Sequence, residues 1–168
     1  AAARVFPNAR WAEDAVASPD GGRIAVVRMG ETGPRGIWLV NPDGSDIVEL
    51  TTGADDQPAW SPDGTRIAFR RVGPDGGTDI WVVGVDGTGA TNLTADQGAT
   101  RQDAPAWAPS SRIAYSHAAS GQAHIWTMAA DGSGKQQLTT GAVYDTEPDW
   151  SPVDDRIAYQ RFGAIWTV

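Results

Sequence analysis

Cysteine is absent from the 168 residues, so disulfides and thiolate metal sites are excluded and the redox compartment stays open. No stretch approaches the roughly 20 apolar residues that span a bilayer, so membrane insertion is not expected. No charged-then-apolar leader is present, and the expectation is that any signal peptide has been removed or never existed. Basic residues are scarce: 13 Lys and Arg stand against 21 Asp and Glu, a formal charge of −8. Nucleic-acid binding rests on Lys and Arg neutralising phosphates, so the charge argues against nucleic acid as a partner and disfavours anionic membrane surfaces. Enzyme motifs are missing too. There is no Gly-x-Ser-x-Gly elbow, and Gly132-Ser133-Gly134-Lys135 lies on a hairpin turn without the pattern of a phosphate-binding loop. What is there is an acidic, Gly-rich and Trp-rich chain, long enough for one compact domain. It suits proteins, small molecules or cations as partners.

One phrase is present four times. Ser18-Pro19-Asp20-Gly21-Gly22-Arg23-Ile24-Ala25 returns as Ser61-Pro62-Asp63-Gly64-Thr65-Arg66-Ile67-Ala68. Worn forms follow at Ala108-Pro109-Ser110-Ser111-Arg112-Ile113-Ala114 and Ser151-Pro152-Val153-Asp154-Asp155-Arg156-Ile157-Ala158. The Arg-Ile-Ala triplets lie 43, 46 and 44 residues apart. A repeat of this length, built of short alternating strands, predicts a β-propeller with one four-stranded blade per repeat. In the second repeat Pro62-Asp63-Gly64 predicts a tight turn, with Pro fixing φ and Gly accepting a positive one. Ile67 to Arg71 alternates as a strand, Asp79 to Val83 is the third strand, and Ala90 to Thr94 the fourth. Ile-Trp recurs at Ile37-Trp38, Ile125-Trp126 and Ile165-Trp166, and Leu-Thr endings recur at Leu50-Thr51 and Leu138-Thr139.

The last repeat stops after its third strand, and Ala3 to Phe6 stand where its missing fourth strand would. The expected fold is therefore all-β: a four-bladed β-propeller of four-stranded antiparallel blades, with the N-terminal strand completing the last blade. One domain covers 1–168, with repeats near 7–51, 52–94, 95–139 and 140–168, closed by 1–6. Closure of this kind removes open sheet edges. A chain closing on itself has a high effective concentration, so a monomer is expected rather than two chains pairing into an eight-bladed ring.

The run Pro58-Ala59-Trp60-Ser61-Pro62-Asp63-Gly64, leading to Arg66-Ile67-Ala68 and later Asp79-Ile80-Trp81, resembles the WD40-like repeat of TolB-type propellers. The resemblance covers almost the whole chain. It implies protein partners and an extracytoplasmic location, periplasmic or secreted, and it implies no single function, because similar blades serve peptidase accessory domains. The first repeat departs from the pattern, with Ala15 and Ala17 where Pro and Trp are expected.

Seven of the eight tryptophans sit at repeat positions and are expected to pack the blades, each burying roughly 150–250 Å². Trp11 and Tyr144 precede inner strands and are expected at the surface. Loops on a rigid scaffold usually carry function. In this architecture the loops joining fourth to first strands and second to third strands share one face, which holds Arg10, Trp11, Arg101, Tyr144 and the stretches 29–36, 72–78 and 118–123. Aligned repeats give two charged rings near it: Arg28, Arg71, His117 and Arg161, then Glu13 and Asp14, Asp55 and Asp56, Asp103, Asp145 and Glu147. Either acids and bases pair between blades and lock them, or they line a polar pocket. The ligand-binding candidates are Arg10, Trp11, Arg28, Asp56, Arg71, Arg101, Asp103, His117, Tyr144 and Arg161.

No cofactor is expected. A cation such as calcium in the channel, near Asp14, Asp56, Asp103 and Glu147, is the candidate ion; Asn41 to Asp46 lacks the spacing of a calcium loop. Zinc has little support, because His117 and His124 are seven apart with no third nitrogen or sulfur ligand. The expected function is non-catalytic binding of a protein or peptide at the loop face around the channel. The alternative is a small lyase, isomerase or cyclase, with His117 as acid–base group, Asp103 orienting it and Tyr144 nearby. A third reading is an engineered or excised propeller without intrinsic activity.

Overall fold

The Ser-Pro-Asp-Gly turns are closed by their own side chains. In the computed structural model, which describes residues 12–29, 35–98 and 100–168, Ser61 Oγ donates to Asp63 Oδ1 at 2.6 Å and the Arg66 N–H donates to Ser61 Oγ at 3.0 Å. Gly64 takes a φ of +68°, open to glycine without steric cost. Ser18, Asp20 and Arg23 repeat the two bonds at 2.6 and 2.9 Å. Hydrogen bonds from Ser61 and Thr65 hold the Asp63 carboxyl down at about 2, and those from Ser18 and Gly22 lower Asp20.

Such turns fold the chain into successive antiparallel meanders. The first is β1 (Ala12–Ala17), β2 (Ile24–Met29), β3 (Arg35–Val40) and β4 (Val48–Glu49). The second is β5 (Asp55–Trp60), β6 (Arg66–Val72), β7 (Thr78–Gly84) and β8 (Thr91–Asn92). A short 3-10 turn, Ala95–Gln97, leads to β9 (Arg101–Trp107), β10 (Arg112–Ala119), β11 (Gln122–Ala129) and β12 (Gln136–Gln137). The fourth holds β13 (Asp145–Trp150), β14 (Ile157–Arg161) and β15 (Ala164–Thr167). Strands pair in sequence order, and a parallel pairing of Thr78 with Arg101 joins the second and third meanders into one sheet.

The outer strands are shorter than the sequence predicts, two residues each. Beyond them a threonine takes over from the backbone ladder. Thr51, Thr94 and Thr139 Oγ1 accept the N–H groups of Ile37, Ile80 and Ile125 at 3.0, 3.0 and 2.9 Å. All three threonines are buried, which explains the recurrent Leu-Thr ending.

The core lies between consecutive meanders. Ile37 and Leu39 pack on Trp60, Ile67 and Phe69; Ile80 and Val82 on Ile113 and Tyr115; Ile125 on Ile157 and Tyr159. Each such aliphatic side chain contributes about 1.5–3 kcal/mol of gross transfer energy. Trp81, Trp107, Trp126 and Trp150 are partly buried against the same clusters. The fourth meander breaks the pattern: Ile165 is 74% and Trp166 49% exposed. Nor does β15 have a fourth strand among the described residues, and β13 shows no packing on β1 comparable to that between consecutive meanders. The expected closing strand, with Arg10 and Trp11, lies outside the described residues, which do not by themselves close a ring.

Candidate functional site

Each inner strand carries a bulge at the same place. The register shifts between Glu13 and Val16, Asp56 and Ala59, and Thr146 and Asp149, and β9 shifts likewise against Ala114 and Ser116. The extra residues are Asp14, Gln57, Ala104 and Glu147, all left-handed with φ of 50, 52, 53 and 52°. None is glycine, so each costs of order 1–2 kcal/mol in local strain. Three are followed by proline: Pro58, Pro105 and Pro148.

The bulges aim at a shared space. A cavity of about 380 Å³ is lined by residues of all four inner strands, including Asp14, Gln57, Ala104, Glu147 and Asp149. Around it the bulges are laced together. Asp14 Oδ2 accepts from the Gln57 N–H at 3.4 Å, and Gln57 Oε1 from the Ala104 N–H at 2.8 Å. Ala104 has no side-chain acceptor to continue the series. The lining acids Glu147 and Asp149 make no ion pair among the described residues.

The predicted basic ring is a set of stacked pairs. Arg28 lies over Trp38 at 4.8 Å, Arg71 over Trp81 at 4.5 Å and Arg161 over Trp166 at 5.2 Å; the His117 ring sits 5.3 Å from that of Trp126. Arg71 also grips Asp55 with two bonds at 2.6 and 2.8 Å, and Arg161 grips Asp145 at 2.6 and 2.7 Å. Both carboxylates are fully buried. Hydrogen bonds to these acids raise Arg71 and Arg161 above the ordinary arginine value. Burial pushes Asp145 up, but hydrogen bonds from Arg161 and Thr139 outweigh it and hold the carboxyl low.

These pairs act within a repeat. Linkage between repeats, expected from the aligned rings, falls to two arginines the alignment missed. Arg70 binds Asp56 through Nε and Nη2 at 2.6 and 2.5 Å and Asp103 of the next repeat through Nη1 at 3.0 Å. Arg35 bonds to Glu13 and lies 3.7 Å from Asp56. Neither recurs: the positions matching Arg70 are Val27, Ser116 and Gln160. Repeat logic had no signal for them.

The remaining candidates are scattered. Asp103 also accepts from Thr78 Oγ1 at 3.1 Å, with Arg101 at 3.9 Å, so Asp56 and Asp103 face arginines, whereas Asp14 and Glu147 line the cavity. Among the described residues no three His, Cys, Asp or Glu side chains converge on a metal. The register sets His117 opposite Gln102 and Asp103 opposite Ser116, which places His117 and Asp103 on opposite faces of the sheet. Tyr144 is half-exposed and bridges to Ala123. The structure therefore does not assemble the acid–base trio of His117, Asp103 and Tyr144. Among the described residues no helix is long and apolar enough to cross a membrane.

No family model matches the chain, and no curated protein does. Solved structures do. The putative TolB of Agrobacterium tumefaciens superposes with a TM-score of 0.84 at 28% identity, over 92% of this chain and 56% of that one. TolB from Acinetobacter baumannii gives 0.73 at 19%, over 94% and 43%. A puromycin-hydrolyzing peptidase of Mycobacterium tuberculosis gives 0.74 at 21%, over 89% and 28%. The chain thus spans little more than half the length of the first and less than half of the other two.

Proposed function

Because the chain folds as a TolB-like β-propeller, we propose that it is a non-catalytic binding module for a protein or peptide, engaged at the mouth of the inner-strand cavity. One observation carries this reading: among the described residues, Asp14, Glu147 and Asp149 line the cavity and no Lys or Arg does. A ligand entering such a site brings a cation, so a Lys or Arg side chain is the inserted group. Exposed charge pairs contribute only about 0–1 kcal/mol each. The acids therefore select and steer the ligand, while the half-exposed Tyr144 supplies contact area. The module acts as a monomer and outside the cytoplasm in this reading.

The test is fluorescence anisotropy with labelled decapeptides of matched length bearing a central Arg, Lys, Gln or Glu. The basic peptides should bind preferentially, with affinity falling as salt rises. The triple variant D14N/E147Q/D149N should erase that preference without changing the urea midpoint. Equal binding of Arg and Glu peptides, or a triple variant that keeps its selectivity, overturns the reading. Tyr144→Ala should weaken binding at unchanged stability; a matching loss of stability would make Tyr144 a packing residue instead.

A further inference from the structure

The third repeat departs from the others at two facing positions. Where they place Arg28, Arg71 and Arg161 it has His117, and opposite, where they place Gly36, Asp79 and Ala164, it has His124. The two lie seven positions apart in sequence, yet the chain reverses at Ser120-Gly121 and the register pairs His117 directly with His124. Facing residues on one side of an antiparallel pair hold their Cβ atoms about 4.5–5.5 Å apart. That separation lets both rings reach one ion at the metal–nitrogen distance of about 2.0–2.1 Å.

Both rings line a second cavity of about 240 Å³, together with Gln122, Trp126 and Gln137. The ring nitrogens are set for it. Tyr115 Oη donates to Gln97 Oε1 at 3.2 Å, which turns Gln97 Nε2 toward His117 Nδ1 at 3.0 Å. Gln97 does not line the cavity, so Nε2 is the His117 nitrogen left for it. A tilted contact with Trp126, at 38° between the ring planes, holds the ring on its other side. His124 Nδ1 is buried without a hydrogen-bond partner among the described residues. Burial, and then the neighbouring His124, lower the His117 pKa below its ordinary value, so its lone pair is available near neutral pH.

We propose that His117 and His124 form a two-imidazole site for a late first-row divalent cation such as zinc, with a Gln122 or Gln137 side-chain oxygen and water in the remaining positions. Gln97 acts as the positioning residue. With its Nε2–H donating to Nδ1, the His117 proton sits on Nε2. When the ion takes Nε2, that proton moves to Nδ1 and the Gln97 amide turns over. Nδ1–H then donates to Gln97 Oε1, and Gln97 Nε2–H donates to Tyr115 Oη, so each group keeps its partner. Two protein nitrogens make an exchangeable site rather than a structural one.

Zinc chloride titrated calorimetrically into EDTA-stripped, dialysed protein at pH 7.5 should bind one ion per chain, with no heat from magnesium. His117→Arg restores the residue the other repeats use and should weaken zinc binding at least tenfold, as should His124→Ala. Thermal melts in EDTA establish that both variants are folded. Binding should weaken as pH falls, because protons compete with the ion for the ligand nitrogens. Absence of zinc binding to the wild type, binding unchanged in both variants, or loss confined to one variant overturns the proposal. The acid-lined cavity shares no residue with this site, so failure here leaves the peptide reading standing.

Discussion

Arg71 and Arg161 each use one planar group twice, its edge forked onto a buried carboxylate and its face laid on tryptophan. Lysine can do neither well. Removing one partner of such a pair strands the other, so Asp145→Asn should cost about 2–3 kcal/mol in urea unfolding, at the lower edge for buried pairs because Arg161 retains some exposure. The folded-state pKa of Asp145 is depressed. The pair's contribution is thus full above the unfolded value of about 3.9 and is lost as pH falls through the lower folded value. Melting temperatures between pH 2 and 6 should show wild type losing stability below about pH 4, and the Asn variant following a flatter curve. The aligned repeats made these residues legible because they recur. Partner assignment was not legible, since adjacent strand residues face opposite sides: Arg71 pairs within its repeat and Arg70, one residue earlier, across to the next.

At the scale of elements, turns, strand order and the Ile-Trp strands could be read directly from the repeated phrase. The bulges could not. Asp14, Gln57, Ala104 and Glu147 share no side-chain chemistry, and only the prolines after three of them mark the place. A bulge is a backbone event that many residues tolerate once the flanking ladder imposes it. The lacing hydrogen bonds do leave a test. Ala104 occupies the position where Gln57 supplies an acceptor to the next repeat. Ala104→Gln should restore the rung to the Glu147 N–H and stabilise the fold by about 0.5–1 kcal/mol, read as a higher urea midpoint at unchanged slope. A midpoint that falls would mean the side chain cannot reach across.

For the whole molecule, the sequence sets each repeat against the next and assigns residues 1–6 to close the series. Ile37, Ile80 and Ile125 are fully buried, whereas their counterpart Ile165 is largely exposed. Ile125→Ala should therefore cost about 2–4 kcal/mol, while Ile165→Ala should stay within about 0.5 kcal/mol. Equal costs would mean that Ile165 is covered in solution. Residues 1–6, to which the sequence assigns the closing strand, lie outside the described residues.

Packing of each repeat on the next bears on how the molecule comes apart. Each repeat touches mainly its neighbours, so stability is passed along the series rather than held in common. Among the described residues the second and third repeats are braced on both sides, and the first and fourth on one. Loosening of the second or third repeat therefore breaks two interfaces at once. The acid-lined cavity takes residues from all four inner strands, so opening either interface of a middle repeat also reshapes the mouth of the site.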